Sequence, residues 1–84
     1  MNREFTDWVI SKIETGDGNL RREFIEMLKN SPDMAKKSIS GKVYKWQTAF
    51  SGETGKAIDV DLEDNAQNLF DAFKEHFADE MAVT

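Results

Sequence analysis

Residues 61–81, DLEDNAQNLFDAFKEHFADEM, carry the clearest structural pattern in the sequence. Asp61 precedes the segment as an N-cap, and Glu63 and Asp64 occupy the first turn, where acidic side chains favour the helix dipole. The apolar residues recur at intervals of three and four, which places them on one helical face. They are Leu62, Ala66, Leu69, Phe70, Phe73, Phe77 and Met81. The pattern predicts one long acidic C-terminal helix over about 62–81.

The remainder of the chain shows the same spacing in three shorter segments. The spacing predicts helices over about 4–15, about 20–30 and about 38–50, with a separate short turn at 34–37. Glycines 16 and 18 end the first helix, and Pro32 follows the second. Ser31 offers a capping hydroxyl to a new helix that begins at this proline. We therefore expect four or five short helices.

The segment 42–50 also admits a strand. Tyr44, Trp46, Thr48 and Phe50 alternate along the sequence, and aromatic and β-branched residues favour strands. Helical spacing instead groups Ile39, Val43, Trp46 and Phe50 on one face, and we prefer this interpretation.

Size and composition limit the fold to one small core. The chain has 84 residues, of which 39% are hydrophobic, and a second independent core would need roughly 50 residues of its own. Short loops between short helices favour an orthogonal arrangement. We predict that residues 1–84 form a single all-α domain, a small orthogonal bundle.

The composition argues against catalysis and against bound cofactors. The chain has no cysteine, so it lacks a thiolate nucleophile and a cysteine-based metal site. His76 is the only histidine, and helical spacing brings no serine or threonine beside it as a nucleophile. We expect a non-enzymatic protein without metal or cofactor.

The chain shows no targeting or membrane signal that we recognise. No apolar run approaches the roughly 18 residues of a membrane span. The first residues, MNREFTDW, lack the basic-then-apolar order of a signal peptide. We expect a cytoplasmic protein that does not bind membranes.

The net charge of −5 is distributed unevenly. Residues 31–56 carry +3, whereas residues 57–84 carry −7. Solvated faces that partly pair with each other would explain this pattern. Two functional interpretations remain beside it: the basic segment binds nucleic acid, or the acidic segment binds a basic protein.

Residues 34–46, MAKKSISGKVYKW, resemble the centre of a helix-turn-helix. Ala35, Ile39, Ser40, Val43, Tyr44 and Trp46 match that family's residue types, although the segment is two residues shorter than the usual pattern. The resemblance implies a DNA-binding transcriptional regulator, with outward residues available to DNA. An ordinary core helix with lysines on its solvated side is the alternative.

A second resemblance concerns the N-terminal third. Residues 5–9, FTDWV, followed by a Gly/Asp turn and the segment 20–28, are similar to the opening of the YozE-like small bacterial proteins. That family has a helical fold of the sterile-alpha-motif type and no assigned activity. The resemblance implies an all-α fold and nothing about function.

Two binding hypotheses follow from these observations. The first is a small regulatory or adaptor protein, of the kind encoded by bacteria or phages, that contacts a protein partner through Asp71, Glu75, Asp79 and Glu80. The alternative is a degenerate helix-turn-helix, acting as a homodimer, that contacts DNA through Lys36, Lys37, Lys42, Tyr44 and Lys45. The sequence favours the first hypothesis because the chain is acidic overall.

Overall fold

Five helices follow one another along the chain, separated by short connections. The computed structural model describes residues 3–16, 18–58 and 61–82, and this part of the chain is 90% helical and contains no strand. The helices are α1 (Arg3–Thr15), α2 (Gly18–Asn30), α3 (Pro32–Thr54), α4 (Leu62–His76) and α5 (Ala78–Ala82). The all-α prediction is confirmed, and the strand alternative for 42–50 is wrong because this segment is helical.

One apolar core lies between the helices, and every helix from α1 to α4 contributes one face to it. Phe73 lies at its centre, with its ring centroid 5.2 Å from that of Phe24 and 6.3 Å from that of Trp46. The fully buried apolar residues are Phe5, Val9, Ile13, Phe24, Leu28, Ala35, Ile39, Val43, Phe50, Ala66, Leu69, Phe73 and Phe77. Most of them belong to the stripes that helical spacing identifies in the sequence.

The third helix is longer than the sequence predicts. It runs without a break from Pro32 to Thr54, so the separate turn at 34–37 and the predicted helix end at about residue 50 are both wrong. Pro32 occupies the first turn as expected, but the side chain of Ser31 makes no capping hydrogen bond. The helix ends where Gly55 adopts the left-handed conformation, with φ of 72°.

The length of α3 does not make it a membrane helix. Four of its residues are lysines. None of the helices in the described part of the chain combines the length and the apolar character needed to cross a membrane.

The long acidic C-terminal helix is the main error of the sequence prediction. The helix breaks at Phe77, and the five-residue helix α5 follows the break. The ring of Phe77 is fully buried, and the guanidinium of Arg21 lies 5.3 Å from its centroid. Arg21 also binds Glu80, at 2.5 Å. The turn at Phe77 thus directs α5 onto α2, and apolar spacing alone does not reveal such a change of direction.

A buried polar pair joins α3 to α4. The side-chain amide of Asn65 donates a hydrogen bond to the amide oxygen of Gln47, at 2.7 Å. Only 3% of Asn65 and 6% of Gln47 is exposed. Because a buried amide without a partner is costly, this bond fixes the position of α4 along α3.

We predict a strong coupling between the two amides. Gln47→Leu or Asn65→Leu alone leaves the other amide buried without this bond, and we expect a loss of about 1–3 kcal/mol in the free energy of unfolding. The double variant should lose less than the sum of the single variants, as measured by urea unfolding. If the losses of the single variants simply add in the double variant, the two amides are not energetically coupled.

Two glycines should respond in opposite ways to alanine. A Cβ at Gly41, inside α3, would meet nothing within 4 Å, whereas Gly55 has a positive φ that alanine disfavours. Gly41→Ala should therefore raise the free energy of unfolding by about 0.5–1 kcal/mol. Gly55→Ala should lower it by about 1 kcal/mol. Urea unfolding of both variants tests the prediction, and a destabilised Gly41→Ala would contradict it.

Candidate functional site

An open groove of about 600 Å³ lies between α1 and α4. Its walls come from one face of each helix, because the lining residues recur at three- and four-residue spacing. The lining residues are Arg3, Thr6, Asp7 and Ile10 of α1, and Asn68, Asp71, Ala72, Glu75 and His76 of α4.

The core fixes the position of this groove. Phe5 and Val9 of α1 are buried, and the groove residues Thr6 and Ile10 directly follow them. On α4 the groove residues Asn68 and Ala72 directly precede buried Leu69 and Phe73. The groove is therefore the rim of the core, and its two walls move only if the core repacks.

The groove is acidic. Asp7, Asp71 and Glu75 line it, against one guanidinium, that of Arg3. Among the described residues, the carboxylates of Asp7 and Glu75 make no hydrogen bond or ion pair. Asp71 accepts a hydrogen bond from the Gln67 amide at 3.1 Å and lies 3.6 Å from the Lys74 ammonium. Most of the negative charge of the groove is thus unneutralised within the protein.

A cluster of ion pairs closes one end of the groove. The carboxylate of Glu14 lies 2.9 Å from the guanidinium of Arg21 and 2.9 Å from the imidazole of His76. Arg21 also binds Glu80, so the cluster connects α1, α2, α4 and α5. The bonds from His76 and Arg21 lower the pKa of Glu14, and the bonds from Glu14 and Glu80 raise the pKa of Arg21.

The chemistry of this end of the groove favours a structural role for His76. Its imidazole contacts the carboxylate of Glu14 and packs edge-on against Phe77, with the ring centroids 4.8 Å apart. In residues 3–16, 18–58 and 61–82, no three histidine, aspartate or glutamate side chains are grouped so that they could hold a metal ion.

The structure separates the four acidic residues that the sequence identifies as partner contacts. Asp71 and Glu75 lie together in the groove. Asp79 is exposed on α5 and unpaired within the described residues, while Glu80 binds Arg21. Sequence reasoning missed Asp7, because nothing in the sequence shows which helix lies beside α4.

The residues of the alternative hypothesis all lie on α3: Lys36, Lys37, Lys42, Tyr44 and Lys45. Residues 34–46 belong to one uninterrupted helix, whereas a helix-turn-helix supplies two helices and a turn. Tyr44 is 69% exposed, as expected for an outward residue. DNA binding by these side chains remains a prediction.

Comparison of the chain with models of known protein families, with curated proteins and with solved structures gave no match.

The lowered pKa of Glu14 predicts a specific pH dependence. The stability that this carboxylate contributes is present above its ordinary value of 4.5 and is lost as the pH falls through its lower folded-state pKa. Glu14→Gln should therefore be less stable than the parent at pH 7, and the difference should shrink as the pH falls below 4.5 and through the lowered folded-state pKa.

Thermal unfolding at several pH values measures this effect. Glu26→Gln is the matched control, because Glu26 is exposed on α2 and has no ion pair among the described residues. A difference between Glu14→Gln and the parent that does not shrink as the pH falls below 4.5 would contradict the prediction.

Proposed function

We propose that this protein is a non-enzymatic regulatory or adaptor protein that binds a basic segment of a protein partner in its acidic groove. The observation that carries the proposal is the presence of Asp7 and Glu75 in one open groove, with no partner for either carboxylate among the described residues. Carboxylates that pair inside a protein are not available to a ligand, whereas these two are.

The charge of the groove suits a cationic ligand. The three carboxylates produce a negative potential that would steer a basic partner and speed its association. The exposed Asp79 on α5 would extend this potential beyond the groove. Because the groups are solvated, the attraction would weaken as salt is added.

The floor of the groove offers an apolar contact. Ile10 is half-buried and packs against the core, and Ala72 opposite it is small. A partner side chain with an apolar stem and a charged end, such as lysine or arginine, can cover the isoleucine and place its charge beside Asp7 or Glu75. The groove residues of α4 span about 12 Å, enough for about two turns of a partner helix.

A labelled, lysine-rich amphipathic helical peptide is the probe for this proposal. Its binding is measured by fluorescence anisotropy at about 50 mM and about 200 mM salt, because the Debye length is shorter at the higher salt concentration. We expect binding at the lower salt concentration and weaker binding at the higher one.

The triple variant Asp7→Asn, Asp71→Asn and Glu75→Gln tests the site. Three exposed charge pairs at about 0.5 kcal/mol each predict roughly tenfold weaker binding. The control variant Glu23→Gln, Glu26→Gln and Asp33→Asn makes the same change in net charge on α2 and α3, and it should alter affinity by less than about threefold. Equal losses in both variants would show that only net charge matters and would refute the groove as the site.

A further inference from the structure

The outward face of α3 has a composition unlike that of the rest of the chain. Residues 34–52 contain four lysines and no aspartate or glutamate, although the chain has 16 acidic residues. This segment spans about 28 Å of helix. We use the name lysine face for its exposed side, which carries Met34, Lys37, Gly41, Tyr44, Lys45, Thr48 and Gly52.

The lysines of α3 lack internal counter-charges. Within the described part of the chain, no ion pair or hydrogen bond is formed by the side-chain ammonium groups of Lys36, Lys37, Lys42 and Lys45. Other cations do: Lys12 binds Glu53, Lys56 binds Glu4, Lys74 binds Asp71, and Arg21 binds Glu14 and Glu80. The fold therefore pairs Lys12, Arg21, Lys56 and Lys74 with carboxylates and leaves the four lysines of α3 available.

Lys36 differs from the other three lysines in its position. It borders a depression that Glu63 and Asp64 of α4 also line, so it lies outside the lysine face. Lys37 and Lys45 lie on the outward side, eight residues or about 12 Å apart along the helix. These two lysines define the centre of the positive surface.

Tyr44 lies between these lysines and is exposed. Its side chain has no hydrogen bond or aromatic partner among the described residues, and 69% of the residue is accessible. Met34, on the same face, is 60% exposed. A solvent-exposed ring beside two cations presents both a stacking surface and charge to a ligand.

Two glycines on this face have no role in the fold that the structure reveals. A Cβ at Gly41 or at Gly52 would meet nothing within 4 Å, and neither residue has a positive φ. Glycine lowers helix stability, so its presence at exposed helical positions calls for another reason. Close approach of a ligand to the helix backbone is such a reason, and Gly41 lies one helical turn from Tyr44 and from Lys37.

We propose that the lysine face binds single-stranded nucleic acid, with Lys37 and Lys45 on phosphates, Tyr44 stacked on a base and Gly41 allowing the strand to approach the helix. The alternation of cations with an exposed ring fits a ligand that alternates phosphates with planar bases. This surface is distinct from the acidic groove, and the inference does not depend on the function proposed for that groove.

The exposed ring of Tyr44 favours single-stranded nucleic acid over other polyanionic ligands. In a duplex the faces of the bases are covered by their neighbours, so a tyrosine stacks readily only on an unpaired base. An acidic protein offers carboxylates but no stacking plane of this kind. A symmetric dimer through this surface would place one lysine face against another, and like charges would repel.

Anisotropy of a labelled 20-nucleotide oligothymidine measures the binding. We expect binding at about 50 mM salt that weakens roughly sevenfold at 200 mM, because the two lysines on phosphates release counterions. A 20-base-pair duplex should bind several-fold more weakly. If the duplex binds as tightly as the single strand, the proposal is overturned in favour of a protein that binds duplex DNA. Absence of binding to both probes at the lower salt concentration would also overturn it.

Variants separate the two kinds of contact. Lys37→Gln with Lys45→Gln should reduce the slope of log K against log salt by about 1.4. Tyr44→Ala should weaken binding about tenfold without changing this slope, and Tyr44→Phe should retain binding because stacking needs only the ring. Loss of binding in Tyr44→Phe, or full binding in Tyr44→Ala, would contradict the stacking role.

Two further variants test whether net charge or protein stability alone explains the changes in binding. Arg22→Gln with Lys29→Gln removes the same charge from α2 and should leave the salt slope unchanged within error. Gly41→Ala should bind more weakly than the parent even though it unfolds at a higher urea concentration, because the added methyl group blocks the strand. Equal losses in the α2 and α3 variants, or unchanged affinity of Gly41→Ala, would refute the proposed surface. Circular dichroism verifies that every variant is folded.

Discussion

Burial of Phe73 is the constraint on which the remaining structure depends. Its ring contacts Phe24 of α2, Trp46 of α3 and Phe77 at the end of α4, so a single side chain holds three helices together. An 84-residue chain has one core, and its net stability is a small difference between large terms. Once this face of α4 is buried, the adjacent residues of the helix must line the groove beside α1.

Internal ion pairs determine which charges remain available to partners. The cluster of Glu14, Arg21, His76 and Glu80 fastens the end of α4 to α1, α2 and α5. Among the charges of the described residues that remain outside such pairs are the carboxylates of Asp7 and Glu75 in the groove and the lysines of α3. A protein with a net charge of −5 therefore presents one acidic and one basic surface, each on its own helices. The ligands that we propose for the two surfaces are correspondingly opposite in charge.

The sequence predicted the helical content well and the candidate site only in part. Of the apolar stripe predicted for the last helix, Ala66, Leu69, Phe73 and Phe77 are buried, whereas Leu62 is exposed. Asp61 accepts a hydrogen bond from the backbone of Asp64, as an N-cap should. Asp71 and Glu75 were identified as contacts, but Asp7 was not. Asp7 belongs to the site only because α1 packs against α4, and no local pattern encodes that pairing.

The sequence by itself determined which segments are helical and which face of each helix is buried, because three- and four-residue spacing is a property of neighbouring residues. Tertiary structure alone decided that α3 continues through 34–37, that the last helix turns at Phe77, and that a groove forms. These features depend on contacts between distant residues: Glu14 and His76 are 62 positions apart, and Arg21 and Glu80 are 59 apart. Such pairs form only after the core has brought the helices together.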